Sequence, residues 1–157
     1  MRCIGENYGY RSGLNSGMVK HLRSKVQKIL TIAKLEPKDL IIDIGSNDST
    51  TLQAYPRDLY VLLGIDPTGN KFQHFYPAHI NLIPDFFSAQ AVKAFCNQKA
   101  KVITSFSMFY DLEDPLSFMR EIFDVLDDDG IWVFEQSYMP AMLATNSFDT
   151  VCHEHLE

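Results

Sequence analysis

Asp43, Asp66 and Asp85 stand at or just after three short apolar runs, and Gly45 follows the first of them. A carboxylate is a good acceptor for the hydroxyl groups of a ribose. In nucleoside-binding α/β folds this acid lies about 20 residues after the glycine turn, and Asp66 lies 21 residues after Gly45. The spacing therefore predicts a nucleoside site held by the main chain near Gly45 and by the side chain of Asp66.

The segment after the third apolar run combines an acid with two aromatic rings, Asp85, Phe86 and Phe87. An adenine ring favours apolar faces to stack on and an acceptor for its exocyclic amine. Asp85 and Phe86 are therefore candidates to bind the base. Asn47 in the glycine turn and Ser105 near the end of a fourth apolar run are candidates to line the same cleft.

Each of these residues also has an ordinary structural explanation. Asp43 fits a hydrogen-bonding group near a strand end, and Asp66 fits a turn residue before Pro67. The two phenylalanines fit a hydrophobic core, and Ser105 fits a position that needs a small residue. The glycine turn lacks the second and third glycines of the dinucleotide fingerprint, so a nicotinamide dehydrogenase is the weaker alternative.

These candidate residues come together only if the strands that precede them end at the same edge of one sheet. The run Leu40 to Ile44 is apolar on both faces apart from Asp43, which is typical of a central parallel strand. Further strands are predicted at 60–65, 80–83, 101–106 and 131–134, and helices at 16–33, 50–54, 89–95 and 115–126. This alternation predicts an α/β fold, a doubly wound, mostly parallel, Rossmann-like sheet of about five strands with helices on both faces.

Helix boundaries follow from capping residues. Asn15 or Ser16 is the predicted N-cap of the first helix, and Ser88 is that of the third. Asp114 followed by a proline is a strong start for the last helix. The acidic run 127–129 is predicted to end that helix as a solvated segment and not as a metal site.

Composition limits the class of protein. The chain has 157 residues and 46% hydrophobic content, enough for one domain with one sizeable core. A net charge of −6 argues against nucleic acid as the main partner. We find no apolar stretch of about 18 residues and no apolar signal sequence, so we expect no membrane partner and a cytoplasmic location. Three widely spaced cysteines fit a reducing compartment.

Taken together, these motifs resemble the class I S-adenosylmethionine-dependent methyltransferases. The match is narrower with the sugar C-methyltransferase family, through the segments YGYRSGLN at 8–15, DIGSND at 43–48, FEQSY at 134–138 and CHEHL at 152–156. This family methylates a carbon next to a ketone in nucleotide-linked deoxysugars. The resemblance implies S-adenosyl-L-methionine as the cofactor and a small molecule, such as a sugar nucleotide, as the substrate.

The resemblance also implies catalytic residues. His155 matches the family's base and Glu154 its acidic neighbour, and a neutral imidazole oriented by a carboxylate suits proton abstraction. Tyr8 and Tyr10 match tyrosines at the mouth of the site, where a phenol would contact the enolate oxygen or the cofactor. Either tyrosine also fits a packing group of an ordered arm. The cysteine and histidines at 152–155 lack the spaced pairs of a zinc site, so we predict no metal.

Family members usually have glycine where this chain has Ser49, which predicts a less permissive turn. The family also carries an N-terminal zinc-binding domain and two further strands beyond this sequence. We therefore expect residues 1–157 to form a methyltransferase core domain that is incomplete at its C-terminus. Its open sheet edge would be covered by further polypeptide or by a second copy in a homodimer. The alternative function is an inactive module that binds the cofactor or serves in assembly.

Overall fold

The computed structural model describes residues 10–147 of the chain. The strands are β1 (Leu40–Ile44), β2 (Val61–Ile65), β3 (Ile80–Ile83), β4 (Ala100–Phe106) and β5 (Leu126–Glu135). The helices are α1 (Ser16–Ile32), α2 (Gly69–Phe72), α3 (Ala89–Phe95), α4 (Pro115–Val125) and α5 (Met139–Thr145). Among these residues no helix combines the length and the apolar character that crossing a membrane requires.

The five strands form one parallel sheet in the order β3-β2-β1-β4-β5. All five residues of β1 are buried, as its apolar sequence predicted. On one face, Val26 and Ile29 of α1 pack with Ile41 of β1. On the other face, α3 and α4 pack against a cluster that includes Ile42 and Ile103. The predicted doubly wound sheet with helices on both faces is confirmed.

The helix starts agree with the capping signals. The Asn15 side chain accepts hydrogen bonds from the backbone amides of Gly17 and Met18 at the start of α1. The Ser88 hydroxyl caps α3, and the Asp114 carboxylate caps α4. Each cap satisfies amides that have no partner within the helix, so these boundaries were set by short-range chemistry.

The short helix predicted at 50–54 is confirmed only in part, because the structure has a 3-10 helix at Leu52–Ala54 and no α-helix there. The residues on either side of this segment have backbone conformations that do not continue an α-helix. Ser49 before it has a left-handed backbone, with φ at 63°. Tyr55 after it precedes Pro56, and a residue before proline is disfavoured in the α conformation. Too few residues remain between them for a regular helix.

The acidic run 127–129 was predicted to end a helix in solvent. Asp128 and Asp129 are exposed as predicted, but the run does not end a helix. Helix α4 ends at Val125, and the run lies within β5, beside an irregularity in the pairing of β4 with β5. Lys101 of β4 pairs with Asp127 at 3.0 Å and also pairs with Asp129. The run therefore provides countercharges for a lysine of the neighbouring strand.

The buried strands lead to a prediction about stability. Ile103 in β4 is fully buried, whereas Ile32 at the end of α1 is 67% exposed. Ile103→Ala is expected to lower the free energy of unfolding by about 2–5 kcal/mol because it leaves a cavity. Ile32→Ala makes the same chemical change and should cost about 0.5 kcal/mol or less. Urea denaturation measures both, and equal losses would contradict this description of the core.

Candidate functional site

A cavity of about 590 Å³ opens at the carboxyl ends of the strands. Asp43 and Gly45 line it from the end of β1, and Asp66 from the end of β2. Phe86 lines it beyond β3, and Glu135 lines it at the end of β5. The volume suits a small-molecule ligand, and the position is where open α/β sheets bind their ligands.

The turn after β1 has an unusual backbone. Gly45, Asn47 and Ser49 have φ angles of 73°, 49° and 63°, all in the left-handed region. Asparagine tolerates this region better than most residues, and glycine adopts it freely. Ser49 adopts the glycine-like conformation and its hydroxyl accepts a hydrogen bond from Gln53 at 2.9 Å. The turn therefore forms with serine at position 49, and the expectation that serine makes it less permissive than glycine stays a prediction.

Asp66 ties this turn to the end of β2. Its Oδ2 accepts a hydrogen bond from the backbone amide of Asn47 at 2.7 Å. Its Oδ1 accepts from the amide of Thr68 at 2.7 Å and from the Thr68 hydroxyl at 2.5 Å. The carboxylate is almost fully buried at 6% exposure. Oδ2 accepts one of these bonds, so it keeps capacity for a second donor.

Asp43 lies deeper, at 2% exposure. The Thr104 hydroxyl donates to its Oδ1 at 2.5 Å. Burial raises the pKa of Asp43 to about 7, although hydrogen bonds from Thr104 and Thr51 partly oppose the shift. The nearby charge of Asp66 adds to the increase. Near neutral pH this carboxyl is thus close to its midpoint and responds to any charge placed beside it.

An N-terminal arm covers one side of the cavity, and the turn fastens it. The Asn47 side chain accepts from the amide of Ser12 at 3.1 Å and donates to the carbonyl of Tyr10 at 3.0 Å. The Asp48 carboxylate accepts from the amide of Gly13 at 2.9 Å. Tyr10 and Ser12 then line the cavity, while Gly13 approaches Asp48 so closely that a Cβ would lie 2.6 Å from its Oδ2.

The structure brings most of the predicted site residues together. Those that line the cavity are Tyr10, Asp43, Gly45, Asn47, Asp66 and Phe86. Phe87 lines it too, while also packing on Phe118 with ring centroids 5.2 Å apart. Tyr8, Glu154 and His155 lie outside the described residues.

Two predicted residues do not line the cavity. Asp85 is exposed, and its carboxylate accepts from the backbone amide of Phe86 at 2.7 Å. Ser105 is fully buried, and its hydroxyl accepts from the Trp132 indole at 2.9 Å. Successive side chains of a strand point to opposite faces, so Phe106 and not Ser105 reaches the cavity. Asp85 and Ser105 are thus not among the residues that line the cavity, and their contact with a ligand stays a prediction.

Four residues of the site were given no role by the sequence reasoning. Asp48 is the last residue of the DIGSND segment and was given no role of its own, yet it holds the arm. The Ser46 hydroxyl pairs with the Tyr76 phenol at 2.8 Å, and that phenol donates to the carbonyl of Asn47 at 3.0 Å. Glu135 is the last residue of β5, and its place in the FEQSY segment was the available signal.

The charged side chains that line the cavity are all acidic. Four carboxylates line it, those of Asp43, Asp66, Asp111 and Glu135. Over residues 10–147, no lysine, arginine or histidine is among its lining residues. The same stretch of chain contains no group of three or more histidine, cysteine or acidic residues arranged to hold a metal ion. This environment favours a ligand with positive charge over an anionic one.

The strand order, the turn after β1 and the acid after β2 together define the fold of a class I methyltransferase. The sequence matches the methyltransferase domain family over residues 14–157, and the chain belongs to that family. It is also 24% identical to the C-methyltransferase NovU of Streptomyces niveus over 151 residues, which cover 95% of this chain and 36% of NovU.

Solved structures agree on the fold. The plantazolicin methyltransferase BpumL, solved with a desmethylplantazolicin analogue and S-adenosylhomocysteine, matches with a TM-score of 0.60 at 19% identity. That match covers 88% of this chain and 53% of BpumL. YjhP from E. coli matches with a TM-score of 0.52 at 14% identity, covering 82% of this chain and 51% of YjhP. The chain thus spans about a third of its curated relative and about half of these structures.

The buried Asp43 predicts a specific pH dependence. An unfolded aspartate ionises near pH 3.8, whereas Asp43 in the fold ionises near 7. Between these values the folded state holds one more proton than the unfolded state, so this group's stabilising contribution is lost as pH rises toward 7. Asp43→Asn removes the titration. The free energy of unfolding of the variant, relative to wild type, should therefore rise from pH 5 to 7 and level off above about 8.

Urea denaturation at pH 5, 6, 7 and 8 measures this difference. The exposed Asp124, which pairs with Lys93 at 3.4 Å, provides the matched control. Asp124→Asn should run parallel to wild type over the same range. Parallel curves for Asp43→Asn as well would show that Asp43 ionises normally in the folded protein.

Proposed function

We propose that this domain is the catalytic core of an S-adenosylmethionine-dependent C-methyltransferase that acts on a nucleotide-linked keto-deoxysugar. The observation that carries the proposal is the joining of the Gly45 turn to Asp66 at one cavity, through the 2.7 Å hydrogen bond from the Asn47 amide. A nucleoside needs this combination of an exposed main chain and a carboxylate beside it.

In this proposal the cofactor lies across the ends of β1 and β2. Oδ2 of Asp66 accepts a ribose hydroxyl, and the main chain near Gly45 and Asn47 lies against the rest of the nucleoside. Phe86 provides an apolar face for the adenine ring. Asp43 lies beneath the turn, where its carboxylate would favour a nearby positive charge.

The acidic lining supports a cationic cofactor. The sulfonium of S-adenosylmethionine is positive, and transfer of its methyl group leaves a neutral thioether. Carboxylates in a poorly solvated cavity stabilise the cation more strongly than the neutral product. The cavity would therefore bind the methyl donor and release S-adenosylhomocysteine more readily than an uncharged cavity would.

The proposed reaction has two steps, deprotonation and methyl transfer. A base removes a proton from the carbon next to the ketone, and the electron pair of that C–H bond moves to form an enolate. The enolate carbon then attacks the methyl group, and the C–S bond breaks with its electrons left on sulfur. We assign the base to His155, with Glu154 as its orienting carboxylate, and stabilisation of the enolate oxygen to Tyr10 or Tyr8.

The proposal extends to a partner. Helix α4, beside the edge strand β5, exposes Leu116, Met119 and Phe123, which recur on one side of the helix. An apolar stripe of this kind marks an interaction surface. We propose that a second copy of the chain covers the open edge of the sheet at β5 together with this stripe. Light scattering on the purified protein should then give twice the mass of one chain, and the mass of a single chain would contradict the dimer.

A turnover assay tests the function. The protein is mixed with S-adenosylmethionine and a thymidine diphosphate-linked 4-keto-6-deoxyhexose, and formation of S-adenosylhomocysteine is measured. Wild type should turn over, and His155→Ala should lower kcat by about a hundredfold or more, as loss of a general base does. His79→Ala is the matched control, because His79 lies before β3 at the opposite end of the sheet, and it should have no effect.

The possible outcomes separate the alternatives. Cofactor binding, measured by calorimetry, without turnover would indicate the inactive binding or assembly module. Failure to bind S-adenosylmethionine at all would contradict the proposed site. Turnover that survives His155→Ala unchanged would leave the methyltransferase assignment in place and overturn the role of His155.

A further inference from the structure

The cavity extends beyond the part that the proposed nucleoside occupies. Asp66 lies at the end of β2 and Glu135 at the end of β5, three strands away in the order β2-β1-β4-β5. Neighbouring strands lie about 4.8 Å apart, so the two carboxylates are separated by roughly 14 Å across the sheet. With the nucleoside over β1 and β2, the part of the cavity over β4 and β5 is left for the methyl acceptor.

The Glu135 carboxylate is held in place from helix α1. The Nε2 atom of His21 lies 2.9 and 2.8 Å from its two oxygens. The Nζ atom of Lys25 lies 2.8 Å from Oε1. Partial burial opposes ionisation of Glu135, but the hydrogen bonds from Lys25 and His21 outweigh it and lower the pKa of the carboxyl. The side chain therefore stays charged at neutral pH.

A purely structural role, in which the ion pairs of Glu135 with His21 and Lys25 join β5 to α1, would explain these contacts. It does not explain why Glu135 also lines the cavity, whereas His21 and Lys25 do not. Met18 and Leu22 of α1 form the adjoining apolar wall. A charged carboxylate beside an apolar wall, with its orientation fixed from behind, is typical of a group that positions a polar ligand.

We propose that the end of the cavity over β5 is the acceptor subsite, in which the Glu135 carboxylate accepts a hydrogen bond from a hydroxyl or amino group of the methyl acceptor. His21 and Lys25 are positioning residues that hold the carboxylate. This inference rests on the proposed function and specifies its acceptor site. Because the cavity lining is acidic, the uncharged sugar enters it and the diphosphate stays outside.

Binding of the acceptor to protein saturated with S-adenosylhomocysteine tests the inference. The probe is the thymidine diphosphate-linked 4-keto-6-deoxyhexose, titrated by calorimetry. Glu135→Ala should weaken its binding by about tenfold or more, since hydrogen bonds to charged groups contribute on this scale. Glu135→Gln keeps an acceptor oxygen without the charge and should lose less.

Asp127→Ala is the matched control. Asp127 is also a β5 carboxylate paired with a lysine, with 33% side-chain exposure against 30% for Glu135, but it lies at the amino end of the strand. Asp127→Ala should leave acceptor affinity unchanged. S-adenosylmethionine affinity should stay within about twofold of wild type in Asp127→Ala. In the Glu135 variants it should fall by less than acceptor affinity does, because the cofactor lies over β1 and β2 and only the long-range charge of Glu135 acts on it.

Lys25→Met distinguishes a role of Glu135 in acceptor binding from a purely structural ion pair between α1 and β5. It removes one partner of Glu135 and keeps the carboxylate, so it should weaken acceptor binding less than Glu135→Ala does, and Lys25→Arg should restore it. An equal loss in Lys25→Met and Glu135→Ala, or a loss of cofactor affinity in step with acceptor affinity, would overturn the inference.

Two further outcomes separate a failure of this inference from a failure of the proposed function. Equal acceptor affinity in wild type and Glu135→Ala would overturn the inference while leaving the proposed function intact. No acceptor binding to the wild-type protein would overturn the sugar substrate and, with it, the acceptor subsite. Retained S-adenosylmethionine binding in that case would leave the cofactor site unaffected.

Discussion

The hydrogen bond from the Asn47 amide to Asp66 is the interaction on which the site depends. Parallel pairing aligns Ile44 of β1 with Ile65 of β2, so the segments after both strands leave the sheet side by side. The carboxylate of Asp66 can then hold the turn at 2.7 Å. Left-handed backbone at a residue other than glycine costs about 1 kcal/mol or more. Buried hydrogen bonds of this kind offset that cost and keep the turn in one shape.

The same turn also fastens the N-terminal arm. The side chain of Asn47 binds the arm, and the backbone amide of Asn47 donates a hydrogen bond to Asp66. Asp48 adds a contact to Gly13 and lies 3.2 Å from Nε of Arg11, whose guanidinium lies over the Phe75 ring. The shape of the turn and the position of the arm are therefore coupled. A ligand that orders the turn would also order the wall that Tyr10 contributes to the cavity.

Concentrated negative charge is the second constraint. Asp43 and Asp66 are both buried, and their charges act on each other, which contributes to the raised pKa of Asp43. Hydroxyl donors from Thr104 and Thr68 lower the cost of burying them. No lining lysine or arginine neutralises the cavity within residues 10–147. A cationic ligand would relieve this repulsion, which links the stability of the site to the charge of what it binds.

The sequence by itself determined the features that depend on neighbours along the chain. The bounds of β1, the caps at Asn15, Ser88 and Asp114, and the pairing of Gly45 with Asp66 were all predictable. Capping bonds join residues two or three apart, and burial on both faces leaves an apolar run. The Gly45 to Asp66 spacing is predictable because one short connection joins adjacent parallel strands.

Tertiary structure decided the rest. Ser105 turned toward Trp132, and Asp85 bonded to the next backbone amide, because side-chain direction depends on local register and packing. Glu135 meets His21 across 114 residues of sequence, and no local pattern records that contact. The arm and the turn meet across 35 residues for the same reason. Such contacts exist only once the strands are ordered in the sheet and α1 has packed against its face.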